Sequence, residues 1–421
     1  MNDNETIYYG CVLFDDTSNP KKGYASLAGQ KAKEIESLGD LESDAIWISN
    51  LNFSESFDAN INRSPKVRRN DFLRVPIQRL AREIGLNIIS NPEKSVKLLS
   101  ETINRLMLKA SQIYGFHRPE DTLRKTLEKI LLKNSDEIDT QSVAQNALNN
   151  AFLSFQPCYG VSPQGVQNVQ FRWSRTHFAN SMINMPYPQG EWSMYQGVLP
   201  NKNKDRGKSS DLYVFLEELA DSQPALCKIN VVNILPEVDE LLDFTYGTEC
   251  REWMPIHEVL KLSEYAVVNI KNILVCERYT TAREQGLILP DEGPVSDLSF
   301  SYGLLAENMW LSIASQQKTL RAGKHNTWVS ARAVWLRAWD RIVCLDAALQ
   351  FKAKNYHVSS YGIGAVNLLV WPELFGGAID AALSLKMSPP IWLLEDVSMQ
   401  VEETDKELEL KMRNRESSER L

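Results

Sequence analysis

Apolar positions recur at three- and four-residue spacing most clearly after Asn91-Pro92, where Val96, Leu99, Ile103, Leu106, Met107, Ala110 and Ile113 share one helical face. Asn91 stands where an N-cap belongs, Pro92 occupies the first helical position, and Gly115 ends the run. Pro119 opens a second helix with Leu123, Leu127, Ile130 and Leu131 on one side. A third starts near Thr140 and uses Val143, Ala147, Leu148, Ala151 and Phe152, so the three read as a bundle with short loops.

Elsewhere the pattern changes. Thr6–Phe14 is β-branched and aromatic and predicts a strand, stopped by Asp15-Asp16 and Asn19-Pro20. A short helix is expected around Ala28–Leu38 and a strand at Ala45–Ile48. Five prolines break residues 154–210, where Val166–Trp173 alternates like a strand. Asp211–Ala220 reads as a helix capped by Ser209 or Ser210, and Ala225–Leu235 as a central strand. The second half predicts a long helix from Pro255 to about Gln285 and a linker over 287–299. A helical hairpin then follows, Phe300–Leu320 and Asn326 or Thr327 to Phe351, with Gly323 as the first helix's C-cap. Residues 360–392 hold a glycine-rich turn, an apolar run and a last helix, and the tail from Glu395 is charged.

The fold class is therefore α+β and predominantly α-helical, with bundle and hairpin units packed on a small β-sheet. Five segments follow from the texture: 1–90, a strand with an irregular basic stretch; 91–155, the helical bundle; 156–250, mixed and proline-rich; 251–394, a C-terminal helical domain; 395–421, the charged tail.

At 421 residues, 43% apolar and 24% charged, the chain can bury a sizeable core without disulfides or metals. Its six cysteines are scattered with no CxxC pair, and no two of its five histidines lie at helical spacing, so no zinc site is indicated. The start MNDNETIYYG carries no secretion signal and no apolar run reaches membrane-spanning length, so a cytoplasmic protein with free thiols and no membrane partner is expected. The net charge of −8 excludes a histone-like coat of positive charge but leaves room for local basic grooves.

The sequence offers four kinds of candidate chemistry. Gly207-Lys208-Ser209 looks like the end of a phosphate loop, but Lys202 stands where the first glycine is required, and Gly362-Ile363-Gly364 reads as a tight turn. Cys158 has His177 as its nearest histidine in sequence, and a thiol–imidazole pair would make a nucleophile. Asp15-Asp16 either holds a cation at a strand end or simply terminates the strand, the turn being favoured. No cofactor and no metal follow from any of these.

Segregated basic patches carry more weight. Residues 61–82 hold Arg63, Lys66, Arg68, Arg69, Arg74, Arg79 and Arg82 against the single acid Asp71, a local charge of +6. Arg172, Trp173, Arg175 and His177 lie near Trp192 and Tyr195 in sequence, and the loop Lys202, Lys204, Arg206, Lys208 comes next. Arg321, Lys324 and His325 mark the tip of the hairpin, beside a helix bearing Trp328, Trp335 and Trp339. Guanidinium groups beside aromatic faces suit single-stranded nucleic acid, although tryptophans at helical spacing more often build core. The first expectation is a non-enzymatic nucleic-acid-binding subunit of a larger, prokaryotic or mobile-element assembly with other protein subunits as partners. It would contact phosphates through Arg68, Arg69, Arg79, Arg82, Arg172, Arg175, Lys202, Lys204, Arg206, Lys208 and Lys324, with Trp173 or Trp192 for stacking. The alternatives are a protein-interaction subunit without nucleic acid and an enzyme of unrecognised type, which predicts a deep pocket of perturbed ionisable groups.

Overall fold

The computed structural model describes residues 7–61, 64–131, 142–159, 164–200, 205–245, 247, 249–282, 284, 296–321 and 324–394. The fold is α+β with substantial helical content and several small sheets. The chain forms two compact units, each gathered from three segments: 1–149, 175–190 and 278–336 in the first, and 150–174, 191–277 and 337–421 in the second.

The first unit is built on a five-stranded sheet of order β3-β2-β1-β4-β5. Its centre is β1 (Tyr9–Phe14), buried at every residue. It pairs antiparallel with β2 (Gly23–Leu27) and parallel with β4 (Ile46–Ser49). Outside these lie β3 (Lys33–Ile35), antiparallel to β2, and the two-residue β5 (Val67–Arg68), parallel to β4. Gly10 is required there: a Cβ on it would sit 2.5 Å from the indole of Trp47. Two short helices follow strands, α1 (Phe53–Asp58) after β4 and α2 (Ile77–Glu83) after β5.

Helix α3 (Pro92–Tyr114) packs on β1 and β2. Its buried polar residues are all used: Asn104 Oδ1 accepts from Tyr9 N at 3.0 Å, and Ser100 Oγ accepts from Gly29 N and bonds Ser26 Oγ, both at 2.9 Å. The Asn91 cap and the left-handed Gly115 stand where the pattern puts them. Helices α4 (Leu123–Leu131) and α5 (Val143–Ala151) also form. They do not make the expected three-helix bundle: α3 lies on the sheet, and α4 packs on a helix that arrives almost two hundred residues later.

The second unit contains the short β6 (Gln156–Pro157) and β7 (Gln167–Arg172). Helix α6 (Thr176–Asn184) belongs to the first unit, and β8 (Tyr187–Met194) crosses the division. Helix α7 (Asp211–Ser222), capped by Ser210, leads to β9 (Ala225–Ile234), α8 (Pro236–Leu242), β10 (Trp253–Pro255) and α9 (Ile256–Ser263). The expected helix to Gln285 stops at Ser263, and β11 (Ala266–Thr280) takes its place. Val267, Val268, Ile270, Ile273 and Val275 are β-branched, and β11 pairs along the whole of β9 in the sheet β10-β9-β11-β8.

Helix α10 (Ser296–Ile313) returns to the first unit and packs on α3, α4 and α6. The expected helical hairpin is corrected here. Beyond α10 come β12 (Gln317–Arg321) and β13 (Lys324–Trp328), an antiparallel pair, before α11 (Ala331–Ala353) begins. The run SQQKTLRAGKHNTW offers no apolar residues at helical spacing, so nothing would hold it as a helix. The Ala28–Leu38 helix is likewise replaced by β3 and a single 3-10 turn at Leu38–Asp40. The sheet β6-β14-β15-β7, with β14 (His357–Tyr361) and β15 (Ala365–Val370), and helix α12 (Phe375–Ser384) complete the second unit. Gly323, residues 287–295 of the linker and the tail from Glu395 lie outside the described residues. Among the described residues no helix is long and apolar enough to cross a membrane.

Candidate functional site

Strands β1, β4 and β5 run in one direction, so their carboxyl ends gather on one edge of the first unit's sheet. Such ends are where ligands commonly meet sheets of parallel strands. Asn50, just beyond β4, locks them together: its Oδ1 accepts from Phe14 N and its Nδ2 donates to Phe14 O, both at 2.9 Å. Helix α1 starts here on a reciprocal cap, Glu55 N to Asn52 Oδ1 at 3.0 Å and Asn52 N to Glu55 Oε2 at 2.7 Å. Thr17, from the β1–β2 loop, donates to Glu55 Oε1 at 2.6 Å and fixes that loop against the helix.

The cap points Phe53 and Phe57 outward. They are 65% and 59% exposed, and their rings stack with centroids 6.3 Å apart and planes 18° from parallel. The Arg69 guanidinium lies 5.1 Å from the Phe53 centroid and is oriented by Asp71, which accepts from its Nη2 at 3.2 Å. An exposed stacked pair with a cation over one face offers an open π-surface. Neither phenylalanine was singled out in the sequence. The available signal was the capping pair Asn52 and Glu55 at the start of a short helix with aromatics at i, i+4, Phe53 and Phe57.

The other expected residues are dispersed. Arg68 ends β5 and reaches back to carbonyls of residues 64–67. Lys66 is spent on the Leu38 and Leu41 carbonyls. Arg79 pairs with Glu83 on α2, and Arg82 stands exposed in that helix's last turn. Arg175 is half-hidden at the start of α6, its Nη1 2.6 Å from Glu83 and its Nε 2.7 Å from Glu307. Arg172 and Trp173 belong to the other unit: Arg172 N donates to Ser388 O and Trp173 Nε1 to Leu385 O. Arg206 and Lys208 are exposed, Lys208 within 3.6 Å of Glu264, while Lys202 and Lys204 lie outside the described residues. Lys324 falls in β13, not at a helical tip. Trp335 is fully buried.

The remaining chemistry resolves into structure. Burial pushes the Cys158 thiol up to about 12, and its Sγ lies 3.4 Å from Leu241 O, which makes it a poor nucleophile at neutral pH. Asp16 closes a turn by accepting from the Ser18 backbone and hydroxyl. Gly362–Gly364 is the β14–β15 turn. A small pocket in the second unit is lined by Arg251, Glu258, Lys261, Arg341 and Tyr361 among apolar residues. Its charges are already engaged with one another: Arg251 bridges Glu249 and Glu258, and Arg341 holds the other side of Glu258 at 2.9 Å. Among the described residues no group of three His, Cys, Asp or Glu is placed to hold a metal ion.

No protein-family model matches the chain, and no curated protein does. Among solved structures, the chain is similar to Phi29 DNA polymerase in its orthorhombic crystal form, at TM-score 0.48. It is also similar to that enzyme in complex with single-stranded DNA, and with primer-template DNA and incoming nucleotide substrates, each at TM-score 0.44. In all three the identity is 11%, and the match covers 86% of this chain and 80% of the polymerase. A likeness of this extent carries neither an activity nor a site to this chain. The expectation of a non-enzymatic nucleic-acid-binding subunit is nonetheless corrected, because the structures found are those of an enzyme. The basic patches meant to serve that role are also partly consumed by internal pairing, at Lys66, Arg79 and Arg175.

Proposed function

We propose that the chain binds single-stranded nucleic acid by stacking bases on Phe53 and Phe57. The observation that carries this reading is the exposed, stacked phenylalanine pair with Arg69 over one ring. An aromatic face accepts any base, so recognition is sequence-tolerant, and each stacked base contributes about 1–3 kcal/mol. A duplex hides its bases and leaves this surface unused. Asp15 and Asp16, exposed just beyond β1, repel phosphate, so the strand approaches from the Arg69 side.

The test is fluorescence anisotropy of a labelled oligothymidylate titrated with the full chain at about 50 mM salt, where counterion release favours association. Phe53→Ala should weaken binding by roughly 5- to 150-fold, corresponding to the loss of one stacking contact. Thermal stability should stay almost unchanged, because the ring is exposed. Absence of binding by the unaltered chain, or equal affinity for the variant, would overturn the reading.

A further inference from the structure

We infer that Arg68 and Arg118 form a clamp for a phosphate group. Arg68 Nη1 donates to the Pro65 carbonyl at 3.2 Å and Arg118 Nη2 donates to the same carbonyl at 3.1 Å. The two nitrogens are thus at most 6.3 Å apart, a gap that phosphate oxygens can bridge with charge-assisted hydrogen bonds.

Two guanidinium groups sharing one neutral acceptor repel each other, and among the described residues neither is within ion-pair distance of a carboxylate. The acids closest in the chain are occupied: Glu120 is paired with Lys129 and Asp121 with Lys125. Arg68 Nε is buried with no acceptor. Burial disfavours the charged form of Arg68; Asp121 opposes this only in part, and the neighbouring Arg118 adds a smaller push in the same direction as burial. An anion between the two groups relieves the repulsion, and its charged oxygens are stronger acceptors than the neutral carbonyl the two groups share. Arg118 is exposed, so the clamp is open to solvent.

Its place in the chain says which phosphate. Arg68 and Arg69 are consecutive, about 3.8 Å apart at Cα. Arg69 lies over the Phe53 ring while Arg68 turns back over Pro65. A strand of a few nucleotides laid along this stretch of chain can therefore meet both the platform and the clamp. In naming nucleic acid as the source of the phosphate, this inference rests on the reading above; the clamp itself does not.

The experiment is calorimetric titration of the full chain with inorganic pyrophosphate, for the unaltered protein and for Arg118→Gln and Arg68→Lys. Arg118→Gln removes an exposed side chain, and Arg68→Lys keeps the charge but loses the fork. Both should weaken pyrophosphate binding by roughly tenfold or more, the scale of a lost charge-assisted pair. With oligothymidylate, Arg118→Gln should lower the slope of log K against log salt by about 0.7, one single-strand phosphate contact. No pyrophosphate binding by the unaltered chain, or equal binding by Arg118→Gln, overturns the clamp. Arg118-dependent pyrophosphate binding without oligothymidylate binding upholds the clamp and refutes the nucleic-acid reading instead.

Discussion

In the second unit, Glu258 is held between the two buried guanidinium groups of Arg251 and Arg341. Burial pushes its carboxyl up, but Arg251 and Arg341 outweigh that and hold it below the usual carboxylate range. A carboxyl whose folded value is depressed contributes stability that is fully present above its unfolded value of about 4.3. That contribution is lost as the pH falls through the lower, folded value. Glu258→Gln leaves two buried guanidinium groups under-paired and should cost about 3–5 kcal/mol at pH 7. Urea unfolding at several pH values checks the sign: the difference between the two proteins should shrink as the pH drops from about 5 toward 3. A difference that is independent of pH would mean that Glu258 acts by shape alone. At this scale little was legible in the sequence. In the sequence Arg175 reads as a phosphate-binding residue beside Arg172 and Trp173, yet its partners Glu83 and Glu307 lie 92 and 132 positions away. Spacing along the chain says which charges exist, whereas the fold decides which of them are already neutralised.

Elements were legible where local chemistry and packing agree. Helix α3 runs from Pro92 to Tyr114 between its Asn91 cap and Gly115, because one apolar stripe, a side-chain cap and a left-handed glycine all mark the same span. Ala266–Thr280 is a strand and not the expected continuation of the Ile256–Ser263 helix, because apolar residues are dense enough there to fit either period and pairing with β9 selects the strand. The β14–β15 turn shows the same dependence on a distant partner. Ile363 adopts a positive φ of 57°, which a β-branched residue resists, between Gly362 and Gly364. What holds it is Asp340 of α11, whose carboxylate accepts from the backbone N–H of both Ile363 and Gly364. Asp340→Ala removes both acceptors from a buried site and should cost about 3–6 kcal/mol, two charge-assisted hydrogen bonds, measured by urea unfolding. The second change Ile363→Gly, made on that background, should restore part of the loss by relieving the strained φ. No recovery would locate the function of Asp340 elsewhere than in this turn.

Across the whole molecule, the decisive feature is that neither unit is continuous in sequence. The first is closed by α10, whose Asn308 donates to Leu73 O at 3.2 Å and whose Ser312 donates to Arg124 O at 2.9 Å. Trp310, fully buried, meets Phe178 of α6 with ring centroids 5.1 Å apart. A sequence divided by texture into consecutive segments has no way to show this, because texture changes at element ends and not where distant helices meet. The consequence for folding is direct. A fragment of residues 1–149 keeps the five-stranded sheet and α3, but it loses α6 and α10, and with them the cover for the apolar faces of α3 and α4. Such a fragment should show no sigmoidal thermal transition by near-ultraviolet circular dichroism and should bind a hydrophobic dye, as chains with unpacked cores do. A fragment of residues 1–336 restores all three segments of the first unit and should regain a cooperative transition. Cooperative melting of 1–149 alone would show that the sheet and α3 suffice, and that α10 is added to a unit already formed.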